Sequence, residues 1–534
     1  MSDRATPADA EDGMPEGSRR LQVLLAMAMF VLVVDTSLMN VSISAVIDDL
    51  DTTASGVQSA IALEALVSAA FILINSKMGD LIGRKRAYTL GLIAYALGAL
   101  AMTLAQSLTA IVIFWAIIGG LGASLLLPAM QSLIHGNFTG RAQKQAYALV
   151  GAAAAIAAAV GPLLGGFVTT YLSWRVGFAL EVVIIGVVLS QIGLIRDVPY
   201  TGSRKVDVVG AALSVVGMGG VVLGILVWQE GGEFVVLLVA AGAVALGSLA
   251  RWLVRRKRQG SVTLLDPDLF HHPNFTAGVS AQMMQQIALG GVMIALPLFL
   301  QMTLEYNAMK AGLSMAPLSL TMFATAVVAG KRAGRHRPAV IVRAGFLLAS
   351  IGLAAMIPLV PRVDSGWYLV LPLVAVGCGF GLLVSQLNNY TLAPIEDDRI
   401  SEAAGVNSAS GNFGLSFGLA VAGGVLLAAL SFRFTNQVQD STVIPPDQQA
   451  QITAVLEDDA EVMSNTQLDA LITEETPEVE AAVLAINDDA RNLSLQVALL
   501  VPVLAGLLGL ANSLRMVRLP DIVPAGDLDG MDFG

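Results

Sequence analysis

The chain has 534 residues, of which 55% are hydrophobic and only 13% charged, with a mean hydropathy of +0.72 and a formal net charge of −11. That much apolar surface does not fit inside one water-soluble core, so lipid must be part of the solvent, and an ordinary soluble enzyme or nucleic-acid-binding domain is excluded. The single cysteine, Cys378, cannot close an internal disulfide. Neither it nor His135, His271, His272 and His336 shows metal-ligand spacing or a nucleophile motif, so no metal, no cofactor and no enzymatic chemistry are expected.

Residues 1–20 form a polar tail ending in Arg19-Arg20, and the apolar run after it lacks a small-residue cleavage site. This predicts an uncleaved first span rather than a signal peptide. A bilayer core of about 30 Å needs roughly 20 apolar residues of helix. Fourteen such runs follow in order. Six lie at Leu21–Ile43, Val57–Ser76, Ala87–Ala105, Ile111–Ile134, Gln145–Thr169 and Val176–Ile195. Two more lie at Val208–Trp228 and Phe234–Ala250, and the last six at Phe275–Leu300, Ala311–Gly330, Ala339–Val360, Trp367–Leu387, Ala403–Leu430 and Leu493–Leu514.

Charge tests this segmentation, because Lys and Arg collect in cytoplasmic loops. With the N-terminus inside, 25 of the 30 basic residues fall on the inner side, and only Arg175, Lys310, Arg362, Arg433 and Arg491 fall outside. Missing one helix mid-chain would scramble that split, so both termini are predicted to be cytoplasmic.

The expected fold is all-α and polytopic, with an N-terminal six-helix bundle over 21–195 and a linker with two extra helices over 196–258. A C-terminal six-helix bundle over 259–515 and a tail over 516–534 complete it. The basic stretch Arg251 to Arg258, followed by Asp266-Pro267-Asp268, marks the boundary before the last bundle, and the extra pair is expected to be peripheral. Within that last bundle an outer loop over 431–492 holds 13 acidic residues against Arg433 and Arg491, a balance equal to the whole formal charge. Partial helical periodicity at Gln449–Val462 and Thr466–Ile472 predicts a small helical hairpin there.

After the second run the sequence reads Ser76-Lys77-Met78-Gly79-Asp80-Leu81-Ile82-Gly83-Arg84-Lys85-Arg86. Gly79 and Gly83 suit a tight inner turn, Asp80 can cap or pair, and Arg84 and Lys85 remain at the interface. The fifth run contains Gly161-Pro162-Leu163-Leu164-Gly165-Gly166, a pattern for a kinked helix that packs closely against a neighbour. The first of these segments resembles the inner-loop signature of the major facilitator superfamily, with Ser76 and Met78 replacing its leading Gly and Leu. The second resembles the antiporter signature of drug exporters. Asp35 to Val41, Ser173 to Phe178, Phe275, Pro297 to Gln301, Ala311 to Leu313 and Pro317 extend the likeness over nearly the whole membrane portion. Together with the count of fourteen, the chain resembles the fourteen-helix drug:proton antiporter family, the QacA/EmrB-like exporters.

That resemblance implies a two-half major facilitator fold in a bacterial plasma (inner) membrane, and a monomer is the expected working unit. It also implies export of amphipathic, often cationic, small molecules against an inward proton gradient. Two departures leave the coupling open. Ala116 stands where the family has an Arg twelve residues before Pro128, and Gly411 stands where many relatives have another. Coupling is then relocated to Asp35 and Glu64, or transport proceeds without protons. A lipid or metabolite translocator of the same fold and a non-transporting receptor or partner platform are the competing readings.

Intramembrane carboxylates are where such chemistry would reside, since each costs about 2.5–3.5 kcal/mol on insertion scales and so faces a cavity. Asp35 is a candidate for proton binding or cation recognition, set against a structural hydrogen bond. Glu64 is a candidate for proton exchange or substrate contact. Glu181 is either functional or simply hydrated near the outer interface. Asn40, Gln282, Gln285, Gln286, Gln301, Asn388 and Asn412 are candidates to line a cavity or bridge helices.

Overall fold

The computed structural model describes residues 16–197, 206–229, 234–332, 336–396, 399–445, 449, 468 and 477–520, and every extended regular element among them is helical. The first half comprises α1 (Glu16–Val41), the short α2 (Ile43–Leu50), α3 (Ala54–Ile82), α4 (Arg84–Leu104), α5 (Leu108–Asn137), α6 (Gly140–Tyr171) and α7 (Trp174–Ser190). An extra pair follows, α8 (Val208–Gln229) and α9 (Val235–Arg258). The second half comprises α10 (Pro273–Leu298), α11 (Ala308–Lys331), α12 (Pro338–Leu359), α13 (Val370–Leu392), α14 (Ile400–Gln439) and α15 (Pro477–Arg518).

Thirteen of these helices are long and apolar enough to cross a bilayer. The sixth expected span is α7, whose 17 residues and the following 3-10 turn Ile192–Leu194 together reach roughly 30 Å. Its Leu180, Val183 and Val187 point outward. The same inversion of the soluble pattern holds elsewhere, with Val236 at 80% and Leu371 at 81% exposure, as lipid-facing helices require. Side-chain caps from Thr53, Ser173 and Asn307 satisfy the first amides of α3, α7 and α11.

In the first half α1 packs against α6 and α7, α3 against α5, and α4 against α5 and α7. In the second, α10 packs on α14 and α15, α13 on α11 and α12, and α15 on α12 and α14. The halves meet along two seams, α3 on α14 and α6 on α11. Side chains stitch the first seam: Asn412 Nδ2 donates to Ser68 Oγ (3.2 Å) and Ser416 Oγ to the Ala62 carbonyl (2.6 Å). One face of the bundle carries Arg84, Lys257, Arg399 and both ends of the described chain, with Asn274 and Arg337 bonded to the Pro520 and Leu519 carbonyls. Asp48, Asp49 and Glu305 lie at the opposite, acidic face.

Two expectations need revising. The extra pair is not wholly peripheral, because α8 packs on both α3 and α14 and so straddles the first seam. Also, α14 continues to Gln439 and α15 begins at Pro477, so residues 431–439 and 477–492 of the expected loop are helix running on past the apolar stretch. The predicted hairpin at Gln449–Val462 and Thr466–Ile472 falls almost wholly outside the described residues.

Candidate functional site

Asp35 lies in α1 with 1% of its surface exposed. The Tyr95 hydroxyl, from α4, donates to its Oδ2. Trp115 Nε1 reaches both carboxylate oxygens, at 3.0 and 2.9 Å. Trp115 comes from a π-helical stretch of α5, Ile111–Gly119, where the wider turn re-aims the residues it contains. Its indole is held edge-on against Phe178 of α7 at 6.3 Å, and Phe178 is in turn edge-on to Trp174. Hydrogen bonds to a charged group contribute about 1.5–3 kcal/mol each, so two such donors account for much of what lets a carboxylate persist there.

Glu181, one turn of α7 beyond Phe178, is 2% exposed, and neither of its carboxylate oxygens has a hydrogen-bond partner. It is therefore not a hydrated residue at the rim. Glu64, in α3, is half-buried. Both glutamates lie within electrostatic range of Asp35, and all three carboxylates lie within range of Tyr95. Among the described residues no Lys or Arg pairs with any of the three. The sequence-predicted acids from α1, α3 and α7 thus converge on one place in the first half, with Ala116 buried beside the indole donor.

Sequence reasoning missed Tyr95 and Trp115. The signal available was position: Trp115 directly precedes the Ala116 that stands in for the expected cation.

At the basic face, Gly83 joins α3 to α4 with φ +99°, a conformation natural to glycine, and a Cβ there would lie 2.7 Å from Asp197 Oδ2. Asp197 accepts from the Lys85 amide (3.0 Å) at the start of α4, where the helix dipole favours an anion. Asp197 follows α7 and was not anticipated. Arg84 is buried and donates to Ser132 Oγ of α5. Gly79 packs near Ala87, and the side chain of Asp80 lies outside the described residues.

The α6 motif divides its contacts between halves. A Cβ on Gly161 or Gly165 would run into Ser37 or Leu38 of α1, at 2.5 and 2.9 Å. One on Gly166 would run into the Ala308 carbonyl of α11, at 2.5 Å, and one on Gly312 of α11 into the Pro162 carbonyl. The motif therefore sits on the second seam. Close by, Thr170 Oγ1 accepts from the Met309 amide (2.9 Å).

The polar candidates separate by location. Gln301 and Asn412 bridge the halves. Gln282 and Gln286 approach Gly411, the second position that lacks an Arg. Gln285 is buried with its carbonyl oxygen unpartnered, and Asn40 is buried with its side-chain oxygen unpartnered. Asn388 is exposed and accepts from Asn407 (3.2 Å). Between the halves at the acidic face opens a vestibule of about 490 Å³, lined among others by Ser44, Asp48, Thr170, Gln301, Glu305 and Tyr306.

Comparison with known proteins bears on this architecture. The chain is 27% identical over 448 residues to the probable actinorhodin transporter of Streptomyces coelicolor, covering 81% of this chain and 77% of that one. It is 26% identical over 412 residues to the multidrug export protein EmrB of Escherichia coli, covering 75% and 78%. To the puromycin resistance protein pur8 of Streptomyces alboniger it is 27% identical over 413 residues, covering 75% and 80%. Among solved structures, a bacterial homologue of the human lysosomal transporter Spinster, in an inward-facing and unoccupied conformation, shares the fold. Its TM-score is 0.61 at 12% identity, covering 95% of this chain and 99% of that one. A proton-dependent oligopeptide transporter structure matches at 0.57 and 17%, covering 94% and 99%. Matched over residues 25–419 by the family's model and built on the same paired helical halves, the chain belongs to the Major Facilitator Superfamily of membrane transporters.

Proposed function

We propose that the protein exports hydrophobic or amphipathic small molecules, cationic ones included, across a bacterial plasma membrane by proton-coupled antiport, with both termini cytoplasmic and a monomer as the working unit. The observation that carries this reading is the cluster of Asp35, Glu64 and Glu181 in a helical bundle with no paired cation among the described residues. Three negative charges sharing an apolar site repel one another, so the cluster is built to take up positive charge, whether as protons or as a cationic substrate. Tyr95 and Trp115 hold Asp35 without neutralising it, the role that an Arg at position 116 would have changed. One proton returning across 100 mV in exchange for a neutral molecule releases about 2.3 kcal/mol, enough for roughly fifty-fold accumulation, whereas one-for-one exchange with a monovalent cation moves no net charge and draws on the pH gradient alone.

In this reading Gly79, Asp80, Gly83, Arg84 and Lys85 hold the cytoplasmic gate. Gly161, Pro162, Gly165 and Gly166 let α6 move against α1 and α11 as the halves rock. The names of the relatives, which speak of multidrug export and puromycin resistance, support the substrate class. The test is flux of a lipophilic organic cation in proteoliposomes, with and without an imposed pH gradient. Gradient-dependent flux that disappears on Asp35→Asn is the expected outcome, and flux indifferent to the gradient would rule out proton coupling.

A further inference from the structure

α14 and α15 have 40 and 42 residues, each about 60 Å of helix and twice what a bilayer needs. Beyond the acidic face they run on as a stem, where Asp489 of α15 accepts from Arg433 (3.0 Å) and Gln437 (2.7 Å) of α14. At the base of that stem Arg491 is 1% exposed, a buried cation that persists only because it is paired and hydrogen-bonded. Its guanidinium donates to Asp488 Oδ1 (3.2 Å) and to the Met302 carbonyl (3.1 Å).

Met302 belongs to a π turn, Phe299–Thr303, with which α10 ends. The last carbonyls of a helix have no intrahelical partner, and Arg491 supplies one. The residue before Met302 is Gln301, 4% exposed, whose side chain crosses to the other half. Its Oε1 accepts from the Ser44 amide (3.1 Å) and the Ser44 hydroxyl (2.8 Å), while Nε2 donates to the Asn40 carbonyl (3.3 Å). Those two backbone groups are free because the chain breaks between α1 and α2: Asn40 lies in the last turn of one helix and Ser44 in the first turn of the next. A primary amide, with one acceptor and one donor end, meets both groups of that break, which an ionised carboxylate, having no donor, could not.

We propose that Gln301 is the latch closing the two halves at the acidic face, and that Arg491 is its positioning residue, fixing the π turn so that the amide meets the α1–α2 break. Neutral hydrogen bonds of this kind hold a latch firmly enough to exclude water and weakly enough to open in every cycle. The stem thereby becomes part of the gate. Its significance rests on the alternating-access reading, but the latch itself is read without substrate or gradient.

The test uses full-length protein in lipid nanodiscs, with Asn40→Cys as the only thiol in a Cys378→Ala background, since the latch uses only the Asn40 backbone. Labelling by fluorescein maleimide reports opening at this buried position. Arg491→Met and Gln301→Leu are each expected to accelerate labelling about ten-fold, equivalent to about 1.4 kcal/mol. The double variant is expected to label no faster than Gln301→Leu alone, because both act through one contact. Labelling of Arg491→Met at the parent rate, or effects that multiply in the double variant, would overturn the assignment. If Arg491→Met is not recovered as a monodisperse protein, Asp488→Asn loosens the same guanidinium: two- to three-fold faster labelling upholds the latch, and the parent rate overturns it.

Discussion

The two six-helix halves follow one plan yet bury different chemistry. The first encloses Asp35 and Glu181 with Glu64 beside them, held by Tyr95 and Trp115. The second encloses neutral groups, Gln285, Gln301, Gln386 and Asn407 with Ser319 and Ser350, and keeps Arg491, the one deeply buried cation among its described residues, at the rim. Amides and hydroxyls can exchange hydrogen-bond partners without changing charge, whereas carboxylates gathered together change state by binding protons or cations. Under the proposed antiport, the first half drives and the second grips or latches.

The sharpest way to break that division is to remove charge from the first half. Asp35→Asn is expected to lower gradient-driven flux on the order of a hundred-fold, equivalent to about 2.7 kcal/mol, while exchange without a gradient persists. Equal loss from Gln285→Leu would erase the contrast between halves. Trp115→Phe keeps the edge-on packing on Phe178 but removes a donor from Asp35. About a ten-fold loss in gradient-driven flux is expected, the lower end of what a charge-assisted bond contributes. The seam between halves is tested by size rather than charge. Gly312→Leu would drive a side chain into the Pro162 carbonyl and is expected to cost about 1–3 kcal/mol, read as a lower thermal midpoint and slower flux. Gly186→Leu, where nothing lies within 4 Å of a Cβ, is the matched control and is expected to leave both unchanged.

Most of the fold was legible because a lipid solvent demands uncharged helices of fixed length, and length and charge are sequence properties. Asp35 and Glu64 were legible as candidates for the same reason, since a carboxylate in such a run stands out, but that they converge was not. For Glu181 the choice between a functional group and a hydrated one stayed open, because distance along a helix does not reveal that the side chain is buried. Tyr95 and Trp115 were invisible because an aromatic in an apolar run reads as packing until its polar atom is seen to have a partner 60 or 80 residues away. Asp197 escaped notice because its partner, the Lys85 amide, is 112 residues distant. The stem formed by α14 and α15 was read as loop because helix outside lipid carries no apolar stripe long enough to mark it.

The smallest expected effect lies where the extra helices join the second half at the basic face. Asp207, capping α8, accepts from Trp252 of α9 and from the Leu264 amide, and Asp266 accepts from Lys257 (2.6 Å) and pairs with Arg399 (3.0 Å) before α14. Burial alone would raise the Asp266 carboxyl, but hydrogen bonds from the Lys257 ammonium and the Asp268 amide, with Arg399 nearby, override it and hold the group below its usual range. A carboxylate lowered on folding adds stability that is present above its unfolded value and is lost as pH falls through its folded one. The clamp therefore holds at neutral pH and lets go only below the ordinary Asp value of about 3.9. Asp266→Asn is expected to cost about 0.5 kcal/mol at pH 7, the range of a partly exposed ion pair, seen as a small drop in thermal midpoint that vanishes in acid. A difference that persists below that pH would mean the side chain acts through its shape, and the extra pair would then be fastened to the second half by packing rather than by charge.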